Sequence, residues 1–202
     1  MFSGIIENLG KVEQLTQQGS NKSIYIKSSF TNELKIDQSI AHNGVCLTVE
    51  DIKGDIYKVT AVEETLKKSN LGMLRVDDEI NLERSMTLQS GLDGHIVQGH
   101  VDCTATCTSV VESEGSWLFN FSIDPKFRNL IVEKGSICIN GISLNIFNCE
   151  DKSFTVTIIP YTYNHTNIKN IVKDSIVNIE FDILGKYVAR YLDSINLNQG
   201  RH

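Results

Sequence analysis

The chain writes one frame twice. Residues 43–49 read NGVCLTV and residues 140–146 read NGISLNI: Asn-Gly, an aliphatic, a small side chain able to act as a nucleophile, Leu, a polar residue, an aliphatic. The agreement extends along the chain. SGIIENLGKV (3–12) answers QGHVDCTATC (98–107), pairing Gly4 with Gly99, and QSIAHNGVCLTV (38–49) answers GSICINGISLNI (135–146) with five identities in twelve. VTAVEETLKKSNL (59–71) answers VTIIPYTYNHTNI (156–168), and DDEINLE (77–83) answers DSIVNIE (174–180). The offset is 95 in the first block and 97 in the other three, so the second copy carries a net two-residue insertion in one early loop. Four blocks in register predict a pair of similar domains; two copies do not make a solenoid.

Each copy reads as strands. Alternation of apolar and polar residues appears in KSIYIKS, DIYKVTAV, EINLE, WLFNFSID, SFTVTII and IVNIEFDI, with Gly and Asn between the runs. Five or six short strands per copy predict a small closed antiparallel barrel. EETLKKSNLGML and its counterpart YTYNHTNIKNI break the alternation and predict a short helix in each copy. The polar, Gly-containing MTLQSGLDGH (86–95) predicts the link between domains. After the second copy, Ile183, Tyr187, Val188, Tyr191, Leu192 and Ile195 fall at helical spacing, an amphipathic helix with no counterpart after the first copy. Its apolar stripe packs either on its own barrel or on a neighbouring subunit.

Composition enters through what it excludes. Net charge is −6 without clustered basic residues, which argues against nucleic acid or an anionic membrane as the main partner. No apolar run approaches the ~18 residues of a membrane span, and the start lacks a secretory pattern, so a cytoplasmic protein is expected. The cysteines are Cys46, Cys103, Cys107, Cys138 and Cys149; the odd count argues against a disulfide framework. Cys103 and Cys107, four apart, are loosely compatible with half of a zinc site, but no second Cys/His pair with ligand spacing follows, and core thiols are the simpler reading.

MFSGIIE, AHNGVCLTV, GHIVQGHVD, NGISL, IPYTY and NIEFDILGKYV, in order over residues 1–193, together resemble the riboflavin synthase family. The resemblance implies an all-β fold of two six-stranded Greek-key barrels plus a C-terminal helix. It divides the chain into residues 1–92, 93–184 and 185–202, the last serving a homotrimer. It implies transfer of a four-carbon unit between two 6,7-dimethyl-8-ribityllumazine molecules, giving riboflavin and 5-amino-6-(D-ribitylamino)uracil, without cofactor or metal. It also allows association with lumazine synthase. Lumazine protein, a non-catalytic relative, is the alternative. A dismutation needs two copies of one substrate held face to face, and two barrels supply two pockets.

By this resemblance Cys46 and Ser143 stand at equivalent pocket walls; otherwise they are a buried thiol and a turn hydroxyl. Thr48 and Asn145 share their strand faces two residues on, alongside Leu47 and Leu144. Asn145 departs from the Thr usual in the family. His100, after Gly99 and before Val101, would accept a proton from the 7-methyl group of a bound lumazine, work suited to an imidazole; its repeat partner is Ile5. Asp182 would hold or polarise Ser143, or else cap the tail helix. Phe2, Ser3, Gly4, Ile5 and Ile6 would form the first strand of barrel one and lie against a ligand in a neighbouring barrel, the Phe2 ring covering the heterocycle. Thr60, Ala61, Val62, Glu63, Glu64 and Thr65, with Ile159, Pro160, Tyr161, Thr162, Tyr163 and Asn164, would supply backbone groups for the pyrimidine edge and hydroxyls for the ribityl chain. Lys134, opposite Asp37, is a further asymmetry. His95, His42 and His165 read as structural or surface residues.

Overall fold

A computed structural model describes the backbone of residues 1–199 and the side chains of residues 1–195. Barrel one is built from β1 (Asn8–Gln18), β2 (Asn21–Lys27), β3 (Ser39–His42), β4 (Val45–Thr48), β5 (Asp51–Lys53), β6 (Ile56–Ala61) and β7 (Glu79–Arg84). Barrel two is built from β8 (Cys103–Ser113), β9 (Ser116–Ser122), β10 (Ser136–Ile139), β11 (Ile142–Phe147), β12 (Ser153–Ile158) and β13 (Ile176–Phe181). The second closes in the order β10-β11-β12-β9-β8-β13. The first runs β4-β3-β7-β1-β2-β6-β5, seven strands by count. Its β4 and β5 are two pieces of one interrupted strand; β11 covers the counterparts of residues 45–50, and those of β5, residues 148–150, lie beyond its end. The break at Val49–Glu50 is bridged by Glu50 N–H, which donates to Lys58 O at 2.9 Å. Both barrels therefore have six antiparallel strands in Greek-key order.

The repeat holds at the level of backbone detail. β1 bulges between Val12 and Gln14 and β8 between Cys107 and Ser109, both at offset 95. Asp37 and Lys134, chemically unlike, both take positive φ, 69° and 63°. The two-residue insertion lies before β10: residues 123–135 connect β9 to β10 where residues 28–38 connect β2 to β3. Each barrel has its own apolar core. Tyr57, Ile24, Ile26, Ile80 and Leu82 fill the first; Phe119, Phe121, Phe154, Phe181 and Ile179 fill the second. Short helices α1 (Glu63–Lys68) and α2 (Pro160–His165) follow β6 and β12, and α3 (Ile183–Gln199) ends the described chain.

Six asparagines join the barrels: Asn43, Asn70 and Asn81 with their counterparts Asn140, Asn167 and Asn178. Asn70 N–H donates to Asn178 Oδ1 at 2.6 Å, and Asn167 N–H to Asn81 Oδ1 at 2.8 Å. Asn81 Nδ2 donates to Asn140 O at 2.9 Å, and Asn178 Nδ2 to Asn43 O at 2.8 Å. Each of these asparagine bonds has a counterpart, so a local two-fold axis relates the barrels. Buried amides so paired fix one mutual orientation, since any other leaves several of them unsatisfied at about 1–3 kcal/mol each.

His42 is fully buried in barrel one, with Nε2 2.9 Å from Tyr57 Oη. Burial pushes its imidazole down to about 4 from an ordinary 6.5. Protons then bind the unfolded chain preferentially, so this contribution is complete above pH 6.5 and is lost as pH falls towards 4. A fall from 6.5 to about 4 corresponds to about 3 kcal/mol. Denaturant titrations at pH 7 and pH 4.5 should show a smaller drop in stability for His42→Gln than for the parent chain. Equal drops would remove His42 as the cause.

Candidate functional site

The leading segment of each repeat crosses to the other repeat's barrel. Contrary to the expectation above, residues 1–5 do not form the first strand of barrel one; the ladder there begins with Glu7 N–H donating to Leu82 O. Gly4 O instead accepts from Ser143 N–H of barrel two at 2.8 Å. Symmetrically, Gly99 O accepts from Cys46 N–H of barrel one at 2.9 Å. Phe2 and Val97 pair where the two arms pass. Ile6 then packs on the core of barrel two and Val101 on that of barrel one. The approach is close: a β-carbon at Gly99 would stand 2.5 Å from Cys46 Cβ, and one at Gly4 2.6 Å from Ser143 Cβ.

A buried glutamate holds each arm. Glu83 accepts from Ser3 N–H (2.6 Å), Ser3 Oγ–H (2.9 Å) and Gly4 N–H (3.0 Å). Glu180 accepts from the backbone N–H groups of Gln98 (2.6 Å), Gly99 (2.9 Å) and His100 (2.8 Å). Burial pushes both carboxyls up, against the backbone donors that favour the ionised form. Lys186, paired with Asp102 at 2.6 Å, also opposes the shift at Glu180.

Two cavities flank these arms. Cavity one, about 210 Å³, is lined by Cys46, Thr65, Glu64, Gly99, His100 and Val101, together with Val45, Lys68 and Ser69. Cavity two, about 550 Å³, is lined by Ser143, Leu144, Asn145, Lys134, Ile159 and Thr162, together with Ile146, Phe147 and Thr157. Among these lining residues none is shared. The exposed His100 therefore belongs with Cys46 and not with Ser143.

Other expected site residues stand elsewhere. Phe2 is fully buried against Ala41, Val97, Cys138 and Cys46, so its ring is core and presents no free face to a heterocycle. The Ala61 side chain is likewise fully buried, which leaves only its backbone for contact. Leu47 is in the core of barrel one, and Thr48 is exposed on β4. Thr60 Oγ1 is bonded to Glu50 Oε2 (3.0 Å) and lies 3.0 Å from Ser23 Oγ. Tyr163 stacks on Trp117 at 3.8 Å between ring centroids, and Tyr161 on His165 at 4.1 Å. Ile5, Val62, Glu63, Pro160 and Asn164 are exposed. Asp182 caps α3, its Oδ1 accepting from Leu184 N–H at 2.9 Å.

Sequence reading set His95 aside as structural, yet its Nδ1 lies 2.6 Å from Ser143 Oγ. Burial lowers this imidazole's pKa from its ordinary value, and the charge of nearby Asp182 opposes the shift. The motif GHIVQGHVD pointed to His100; only the folded chain brings His95 to Ser143. Lys68, opposite His165 in the repeat, was also missed, because it reads as a solvated helix lysine.

Two unlike cavities, the first walled by the other copy's arm at Gly99, His100 and Val101 and the second beside the strand residue that bonds Gly4, define a duplicated small-molecule-binding barrel protein. Comparisons with known proteins agree. The model of the lumazine binding domain matches residues 3–85 and again residues 98–182. Riboflavin synthase of Actinobacillus pleuropneumoniae is 39% identical over 193 residues, covering 95% of this chain and 90% of that one. The Bacillus subtilis riboflavin synthase is 37% identical, covering 98% and 93%, and that of Mycobacterium tuberculosis 38%, covering 96% and 99%. Crystal structures of LumP complexed with riboflavin and with 6,7-dimethyl-8-(1'-D-ribityl) lumazine share the fold, with TM-scores of 0.84 and 0.82 at 23% and 22% identity, each covering 90% of this chain and 99% of LumP. The chain belongs to the riboflavin synthase family. Among its described residues no helix is long and apolar enough to cross a membrane.

Proposed function

We propose that this chain dismutates 6,7-dimethyl-8-ribityllumazine, moving a four-carbon unit from one molecule to a second and releasing riboflavin and 5-amino-6-(D-ribitylamino)uracil. The observation that carries the reading is the pair of cavities that share two repeat-equivalent wall positions, Cys46/Ser143 and Thr65/Thr162, and otherwise have different walls: Glu64 and His100 in one, Asn145 and Lys134 in the other. Two similar pockets bind two copies of one molecule. Different walls let one act as donor and the other as acceptor, because stabilisation must be aimed where charge develops. His100 is the proposed acceptor of the 7-methyl proton. Ser143 is the proposed polar contact to the second lumazine, and Asp182 is proposed to hold or polarise it.

The two cavities share no lining residue, so two ligands bound in one chain occupy separate chambers. Face-to-face alignment is then supplied by a second chain, cavity one of one copy meeting cavity two of the next. The tail helix offers the means. Tyr187, Val188, Tyr191 and Leu192 are each more than half exposed, while α3 touches its own barrel through residues 125–130. A homotrimer built on this stripe is part of the proposal, as are a cytoplasmic location and docking to lumazine synthase. Removing residues 185–202 should give smaller species by light scattering and lower activity. An active, fully assembled truncation would exclude the helix from assembly.

The protein incubated with the lumazine alone should develop flavin absorbance. Binding without flavin formation would place it with the non-catalytic carriers instead.

A further inference from the structure

The bond between His95 and Ser143 is not part of the motif pattern, and it distinguishes the two cavities. His95 is only 9% exposed, and its backbone N–H donates to Ser3 O at 3.1 Å. The ring is thus anchored in the crossing of the two arms. Nδ1 lies 2.6 Å from Ser143 Oγ, and the buried Nε2 has no partner. The ring has one strong polar contact, and that contact is the hydroxyl lining cavity two. Barrel one differs: Cys46 shares its cavity with His100, but among the described residues no imidazole is bonded to its sulfur.

We infer that His95 is a positioning residue for the proposed reaction: by holding Ser143 Oγ in one hydrogen-bonded orientation, it presents that oxygen pre-aimed to the molecule in cavity two. A serine hydroxyl otherwise rotates freely and spends part of its time turned from the ligand. Fixing the rotor before binding removes that cost from the reacting complex. The bond does this whether Nδ1 accepts the seryl proton or donates its own. Burial favours the neutral imidazole, which keeps a second charge out of the cavity.

The inference rests on the reading of cavity two as a lumazine pocket, and the two fail differently. If the parent chain makes no flavin from the lumazine, that reading is lost. If it does, the following measurements concern His95 alone. At saturating lumazine, His95→Ala should lower kcat roughly ten-fold, within the range of groups that orient catalytic machinery, with KM changed less than about two-fold. His95→Ala combined with Ser143→Ala should be no slower than Ser143→Ala alone, because the imidazole acts through that hydroxyl. His95→Asn, whose amide reaches the place of Nδ1, should recover most of the rate; His95→Gln, whose amide reaches the place of Nε2, should not. Multiplying losses in the double variant would overturn the inference, as would a KM effect with kcat intact. Should His95→Ala fail to fold, the contrast of Asn with Gln decides: equal rates would refute the positioning role.

Discussion

Gly44→Ala and Gly141→Ala are each expected to cost the fold about 2–5 kcal/mol, summing ~1–2 for a β-carbon in left-handed backbone and ~1–3 for overpacking. The two residues have φ of 79° and 83°, and they face one another across the local two-fold axis. A β-carbon at Gly44 would stand 2.8 Å from Gly141 N, and one at Gly141 2.9 Å from Gly44 N. Both obstacles are backbone, which cannot swing aside as a side chain can. Moving it disturbs the adjacent Asn43 and Asn140, and with them the amide network between the barrels. Gly54→Ala is the control: its φ is 61°, but nothing lies within 4 Å of the added carbon, so it should cost only the backbone strain. Denaturant unfolding of the three variants separates clash from strain. Equal losses at all three sites would show that the junction yields.

The second large effect is on rate. His100→Gln and Ser143→Ala should each lower turnover at saturating lumazine by roughly ten-fold or more, a floor set below the ~10²–10⁴-fold that a positioned acid–base group can supply. Both side chains line cavities without carrying core packing, so folding and binding of a substrate analogue should survive. Full turnover in both variants would leave a reaction driven by alignment of two substrates alone.

The architecture was legible because it rests on local patterns. Alternation marked β2, β6, β7, β9, β12 and β13, helical spacing marked α3, and repeated blocks marked the duplication. The interruption at Val49–Glu50 was not, since residues 38–49 and 135–146 align without a gap and the break is one of pairing rather than of sequence. The crossing of the arms was not legible either. The arms read like strand segments, and only the partners of Gly4 and Gly99, which are Ser143 and Cys46, reveal which barrel each arm serves. The asparagine junction had left a signal: positions 43, 70 and 81 recur as asparagine at 140, 167 and 178. A buried amide and a turn amide look alike in sequence, so recurrence alone gave no reason to bury them. Glu83 and Glu180 recur in the same way and escaped for the same reason. Among candidate site residues, the family resemblance named Cys46, His100, Ser143 and Lys134, which line the cavities. It misjudged Phe2, whose ring the folded chain encloses, and passed over His95, whose contact with Ser143 spans 48 residues.

The proposal that the working site forms between chains is tested most directly by mixing two defects. His100→Gln spoils cavity one, and Ser143→Ala spoils cavity two. Co-expressed in equal amounts, the two variants would assemble mixed oligomers, and roughly a quarter of the sites would join an intact cavity one from one chain to an intact cavity two from another. The mixture is predicted to recover about a quarter of the parent turnover, above the ~10% or less of either variant alone. If each chain instead completes its own site, every site in the mixture keeps one defect. Turnover no higher than the average of the two variants would then contradict the account.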